Sequence, residues 1–141
     1  MTPAVDPTRV LRLLRAITDE VAVLQREATA SVERRQDPMW LRGVKFSFVV
    51  AIEAALDTAQ HLCAASGWGP PSDNGHAMRL LGQHGVLQPD LAGRMAHAVG
   101  FRTVLIHDYA RVVDDDLVVR QLGDLSDLTG FAKAVSIEVQ P

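Results

Sequence analysis

Arg102, His107 and Tyr109 fall in one short stretch, GFRTVLIHDYARVVDDD from Gly100 to Asp116, in the pattern arginine, four residues, histidine, one residue, tyrosine. An imidazole exchanges a proton near neutral pH, and a guanidinium carries a permanent charge in a planar fork that fits phosphate oxygens. Cleavage of an RNA phosphodiester without a metal needs such a pair, one group to move protons and one to neutralise the phosphorane. Geometry constrains the arrangement. At 100° per residue, Arg102 and His107 stand about 140° apart around an undistorted helix, and Tyr109 about 160° from His107. One regular helix therefore does not aim both at the same phosphate. A distorted helix end, or two copies of the chain meeting across an axis, resolves this. Taken singly, an arginine and a histidine this close are more often surface or structural groups, and a tyrosine at a helix terminus is more often a packing residue.

Other reactive residues carry less. Glu53, Asp57 and His61 repeat at i, i+4 and i+8 and share one helix face. Two carboxylates and a histidine lack a fourth ligand, so a polar stripe, solvated or shared with a second subunit, is expected there rather than a metal site. Cys63 has no histidine in a catalytic signature and reads as a small buried apolar residue. As the single cysteine it excludes an intrachain disulfide and a four-cysteine zinc site, which fits a reducing cytoplasm. The glycines of GWGPPSDNG, Gly67 to Gly75, match neither the phosphate-binding loop nor the dinucleotide fingerprint, so no cofactor is expected. Trp40 and Trp68 read as packing anchors, and His76, His84 and His97 have no partner at a telling spacing.

The elements that must position these groups are helical. Of 141 residues, 48% are hydrophobic, 22% charged and only 5% aromatic, a balance that excludes a disordered chain and suits one domain spanning residues 1–141. Apolar residues recur at three and four, the helical period. Five helices are predicted, packed as an antiparallel all-α bundle. The first opens at Asp6-Pro7, with Val10, Leu13, Leu14, Ile17, Val21, Leu24 and Ala28 inward and Arg12, Arg15, Asp19, Arg26 and Glu27 in solvent. The second opens at Asp37-Pro38 and runs to Ser66, stopped by Gly67. Its stretch Phe46 to Leu56 is apolar nearly all round, so it is the central helix or has a face covered by a second subunit. A third helix is expected near Asp73 to His84, a fourth from Pro89 with a bend near Gly100, and a fifth from the acidic run Asp114 to Asp116 through Val135.

The net charge of -3 argues against broad coating of nucleic acid. Between His76 and Arg111, however, four arginines face two aspartates, and four of the five histidines lie there. That stretch suits phosphate. The longest apolar runs are far short of the roughly 18 residues of a membrane span, and the start, MTPAVDPTRV, has no basic region leading into an apolar one. No membrane association or export is expected.

The Arg102, His107, Tyr109 segment resembles the Arg-X4-His-X-Tyr motif of the HepT family, HEPN-domain toxins paired with MntA-type minimal nucleotidyltransferases. The start at Asp6-Pro7, IEAALDTAQHL from Ile52 to Leu62, LLGQHGVLQPDLAGRMAHAVGFR and the acidic start of the last helix are similar to that family in order and spacing, from about Asp6 to Val139. The resemblance implies a helical homodimer in which Arg102 and His107 of both copies line a cleft for RNA, acting as a metal-independent ribonuclease with 2′,3′-cyclic phosphate products. It also implies that Tyr109 receives AMP from an MntA-like nucleotidyltransferase antitoxin, which silences the toxin. Thr103 departs from the polar residue, often asparagine, that usually follows the motif arginine; it keeps a hydroxyl and loses an amide. The alternative reading is a noncatalytic helical subunit that binds the nucleotidyltransferase and offers it a platform for RNA or nucleotide.

Overall fold

A computed structural model describes residues 5–107 and 115–139, and every regular element among them is a helix. The helices are α1 (Pro7–Ala28), α2 (Val32–Arg35), α3 (Pro38–Ser66), α4 (Asn74–Gln83), α5 (Pro89–His107), α6 (Asp115–Gln121) and α7 (Ser126–Val139).

Local chemistry sets the boundaries. The Asp6 carboxylate accepts the Arg9 N–H at 3.2 Å, and the Asp37 carboxylate accepts the Met39 N–H at 2.9 Å. In each case the following proline sits in the first turn, where its missing donor leaves no hydrogen bond unmade. α3 ends in a left-handed glycine, Gly67 at φ 71°, with Gly67 N–H bonded to the Ala64 carbonyl and Trp68 N–H to the Cys63 carbonyl. This double closure satisfies carbonyls that the helix end would leave bare. Asp73 caps α4 by accepting the His76 N–H at 2.7 Å.

α1 lies antiparallel along α3. The Asp6 N–H at the start of α1 donates to His61 Nε2 near the end of α3 at 3.0 Å, and Glu27 near the end of α1 accepts from Trp40 Nε1 near the start of α3 at 2.9 Å. Between these clamps Val10, Leu14, Ile17 and Val21 pack with Ala51, Ile52, Ala55, Ala59 and Leu62, and the same core takes in Met78, Leu81, Met95, Val99, Phe131 and Val135. A second, smaller core joins Leu24, Trp40, Val44 and Phe48 to Val118 and Leu122, and Phe101 packs against both. The expected stripe of α1 is thus the buried one. Glu27 corrects the expectation of a solvated face, because Arg34 and Trp40 both fold over it.

Among the described residues seven helices replace the expected five, for two physical reasons. The loop after α1 winds one turn, α2, in which the Ser31 hydroxyl accepts the Arg34 N–H at 3.1 Å and Arg35 donates to the Ala28 and Ala30 carbonyls while lying 5.2 Å over the Trp40 ring. Four residues are too few to show a period. The expected last helix is broken at Gly123 and Asp124. There the Asp124 carboxylate accepts both the Ser126 N–H and its hydroxyl, starting α7 afresh. Val118, Leu122, Leu128, Ala132 and Val135 are buried all the same, shared between the two cores. α5 is helical on both sides of Gly100. Among the described residues no helix is long and apolar enough to cross a membrane.

The apolar stretch of α3 is satisfied mostly within one chain. Ser47, Phe48, Ala51, Ile52 and Ala54 to Leu56 are buried, whereas Phe46 stays 66% exposed.

Candidate active site

Arg102 and His107 both lie on α5, whose helical run ends at His107. The backbone therefore keeps the two about 140° apart around one axis, as on a regular helix. Tyr109 falls in 108–114, outside the described residues. So does Asp114, with which the last helix was expected to begin.

The helix sorts its side chains by neighbour. Phe101 turns inward, edge-on to Phe48 with ring centroids 5.9 Å apart. Arg102 turns to α3, where its Nε–H donates to the Glu53 carboxylate in a close ion pair. The arginine side chain is 16% exposed and the glutamate 42%, so the guanidinium is largely covered while the carboxylate meets solvent. Thr103 and Val104 face outward. The Thr103 hydroxyl donates back to the Val99 carbonyl at 3.2 Å, within its own helix.

Asp57 stands one turn beyond Glu53 on α3. Burial holds its carboxyl above the usual carboxylate range and the charge of Glu53 adds to this, against the opposing pull of Arg9 and Arg102. His61, the third member of the stripe, is engaged elsewhere, accepting the Asp6 N–H. Among the described residues no group of three histidine, cysteine, aspartate or glutamate side chains is placed to hold a metal ion. The stripe was expected to be solvated or shared with a second subunit; instead Glu53 pairs with Arg102 and His61 with the Asp6 N–H of the same chain, and Asp57 is partly buried.

Several secondary candidates have structural employment. Cys63 is buried, its thiol pushed up by burial, with Sγ 3.8 Å from the Ala77 carbonyl. His84 stacks on Trp68 with ring centroids 4.1 Å apart, and His76 Nδ1 accepts the Ser72 N–H at 2.9 Å. Trp40 is buried at the foot of α3. On the far side of Phe101, a cavity of about 440 Å³ opens among α3, α5, α6 and α7, lined by Phe48, Met95, Leu117 and Leu125 with Arg94 and His97 among its polar groups. Arg102 and Glu53 are not part of its lining: the arginine is largely covered between α5 and α3, and the Glu53 carboxylate reaches solvent.

The family model described as "Ribonuclease HepT-like" matches residues 10–135, nearly the whole chain and both helices that carry the ion pair. The chain belongs to the HepT-like ribonuclease family. It is 29% identical over 96 residues to a putative RNase of Archaeoglobus fulgidus, covering 68% of this chain and 71% of that one. It is 27% identical over 86 residues to the mRNA nuclease HepT of Shewanella oneidensis, covering 61% of this chain and 65% of that one. Among solved structures, the tri-AMPylated HEPN toxin of Shewanella oneidensis in complex with its MNT antitoxin superposes with TM-score 0.83 at 21% identity, over 92% of this chain and 97% of that one. YutE of Bacillus subtilis, described as a cytosolic protein of unknown function, superposes with TM-score 0.84 at 16% identity, over 98% and 93%. At such identities these likenesses establish the fold of a HepT-like chain.

Sequence reasoning missed the partner of Glu53. Its position on a polar face of α3 was legible, but the arginine it meets is 49 residues away on another helix.

Proposed function

We propose that this HepT-like chain is a metal-independent endoribonuclease toxin, active as a homodimer and held in check by an MntA-like nucleotidyltransferase. The observation that carries the reading is Arg102: a guanidinium held by a single carboxylate of α3, five residues before the histidine that ends α5.

The 2′-hydroxyl of the RNA attacks the adjacent phosphorus, and its proton passes to a His107 imidazole acting as base. The charge that gathers on the phosphorane oxygens is met by the terminal nitrogens of Arg102. The phosphorus to 5′-oxygen bond then breaks, and a protonated His107 returns a proton to the leaving oxygen. The products are a 2′,3′-cyclic phosphate and a 5′-hydroxyl. Two copies supply two imidazoles, which also removes the difficulty of the 140° offset. The silencing step joins the Tyr109 hydroxyl oxygen to the α-phosphorus of ATP, releasing pyrophosphate and the phenolic proton. The adduct adds bulk and a negative charge that competes with RNA phosphate for Arg102. The whole of residues 1–141 acts as one domain in the cytoplasm.

Cleavage of a single-stranded RNA is expected to persist in EDTA. His107→Ala should lower the rate by about 10²–10⁴-fold, the usual worth of a general acid or base, and Arg102→Ala by about 10²–10³-fold, with helicity retained in both. Loss of cleavage on chelation, restored by a divalent ion, would sink the metal-free mechanism. Incubation with the nucleotidyltransferase, ATP and Mg²⁺ should place AMP on Tyr109 by mass spectrometry and leave Tyr109→Phe active. An adduct on another residue would refute that assignment.

The second reading, a noncatalytic partner subunit, is favoured by Thr103, whose hydroxyl hydrogen is committed to Val99 and which offers no amide donor to substrate. Growth arrest on expression of this chain alone separates the two, since only the toxin produces it.

A further inference from the structure

We propose that Glu53 is the positioning residue for Arg102: its carboxylate takes the Nε–H edge of the guanidinium and presents the terminal nitrogens to a phosphate of the RNA. This rests on the ribonuclease reading above and adds to it a residue on α3.

An arginine side chain that is only 16% exposed needs a partner charge, because burying a lone cation is costly. Glu53 supplies it, and among the described residues it is the one hydrogen-bond acceptor that Arg102 meets. Of the five donors of a guanidinium, this bond uses the one on Nε and leaves four on the two terminal nitrogens. One N–H from each terminal nitrogen forms the end that receives two phosphate oxygens side by side.

The obvious objection is that a carboxylate beside a phosphate site repels the substrate. The two effects act at different stages. Repulsion acts on RNA binding as a whole, and the intervening cation and the exposure of Glu53 to solvent screen it. Orientation acts where charge develops. A tethered guanidinium has already surrendered its rotamer freedom, so the transition state does not have to order it. Glu53 should therefore be felt mainly in kcat. Asp57 is the weaker claimant on Arg102. It lies a turn further along α3, and burial together with the charge of Glu53 disfavours its ionised form.

The full-length chain carrying Glu53→Ala, Glu53→Gln or Glu53→Asp is assayed on a single-stranded RNA oligonucleotide, with rates corrected for the folded fraction from melting curves. Glu53→Ala is expected to lower kcat at least tenfold with KM changed less than about threefold, and Glu53→Asp to restore part of the loss. A purely structural glutamate would lower the melting temperature and leave the corrected kcat unchanged, which overturns the proposal. A rise in kcat, or a KM lowered more than threefold, would identify the carboxylate as a competitor for the phosphate and overturn it too. A second measurement is independent of catalysis. The Arg102 Nε–H resonance, identified by its absence in Arg102→Lys, should be protected from solvent exchange in the native chain and lost in Glu53→Ala. An unchanged resonance shows that Glu53 does not hold the arginine. If native chain and Arg102→Ala cleave RNA equally, the ribonuclease reading has failed, and the resonance still reports on the ion pair.

Discussion

Glu53 and Asp57 are one helical turn apart and see the same arginine, yet their electrostatic situations differ. Glu53 has a hydrogen-bonded cation, while Asp57 has only the distant pull of Arg9 and Arg102 against burial and a like charge. The carboxyl of Asp57 is raised, so the folded chain holds that proton more tightly than the unfolded chain does. Its contribution to stability is present below the ordinary value of 3.8 and is lost as pH rises through the folded value, leaving ionised Asp57 a net cost at neutral pH. Asp57→Asn is therefore expected to melt above the native chain at neutral pH, with the difference shrinking as the pH approaches that ordinary value. An unchanged or lower melting temperature at neutral pH would show that Asp57 is better satisfied than its burial implies. The motif residues were legible because their chemistry is local in sequence. Their support was not, since spacing on α3 shows which residues share a face but not which helix that face meets. Glu27 teaches the same lesson: its place on a charged face of α1 was plain, and the arginine and tryptophan that cover it come from α2 and α3.

At the level of elements, the boundaries legible in the sequence were those marked by an aspartate cap or a left-handed glycine, as at Asp6, Asp37, Gly67 and Asp73. The break between α6 and α7 was hidden because the buried stripe keeps its period across Gly123 even though the helix does not, so periodicity alone reads through it. The close approach of α4 and α5 was hidden for a related reason. A Cβ added at Gly82 would come within 2.7 Å of the Ala92 Cβ, nearer than two such atoms approach, so these helices touch where one residue has no side chain. In isolation Gly82 counts only as a poor helix former. Gly82→Ala is accordingly expected to destabilise the chain by about 1–3 kcal/mol despite its better helix propensity, the usual cost of overpacking. Ala92→Gly in the same chain should recover part of that loss by removing the opposing atom. Urea denaturation measures both. A stabilised Gly82→Ala would mean that the two helices separate freely and that their contact contributes little.

For the whole molecule, the exposed apolar residues of α3 bear on how a second copy would meet the first. Phe46 is 66% exposed and Met39 64% on α3. Phe46 and Glu53 are separated by two turns of α3. Phe46 thus shares the α3 face that carries Glu53, and a second copy seated there would bring two arginines and two histidines to one cleft. The stretch Phe46 to Leu56 pointed to a central helix or to a subunit contact; Phe48, Ala51, Ile52 and Ala54 to Leu56 enter the core, Val49, Val50 and Glu53 are part-buried, and Phe46 is left exposed. Phe46→Glu is expected to leave the monomer folded, because an exposed side chain contributes little to the core, while placing like charges against each other across the interface. The native chain should then behave as a dimer by light scattering at micromolar concentration and Phe46→Glu as a monomer. Ribonuclease activity should fall by a factor of about ten or more in step with the loss of dimer, since roughly 1.4 kcal/mol of weakened association already shifts the equilibrium tenfold. On dilution the native chain should also lose specific activity. A native monomer at micromolar concentration, or a monomeric Phe46→Glu that cleaves RNA at the native rate, would show that one chain assembles the site alone, and the 140° between Arg102 and His107 would then have to be closed within a single copy.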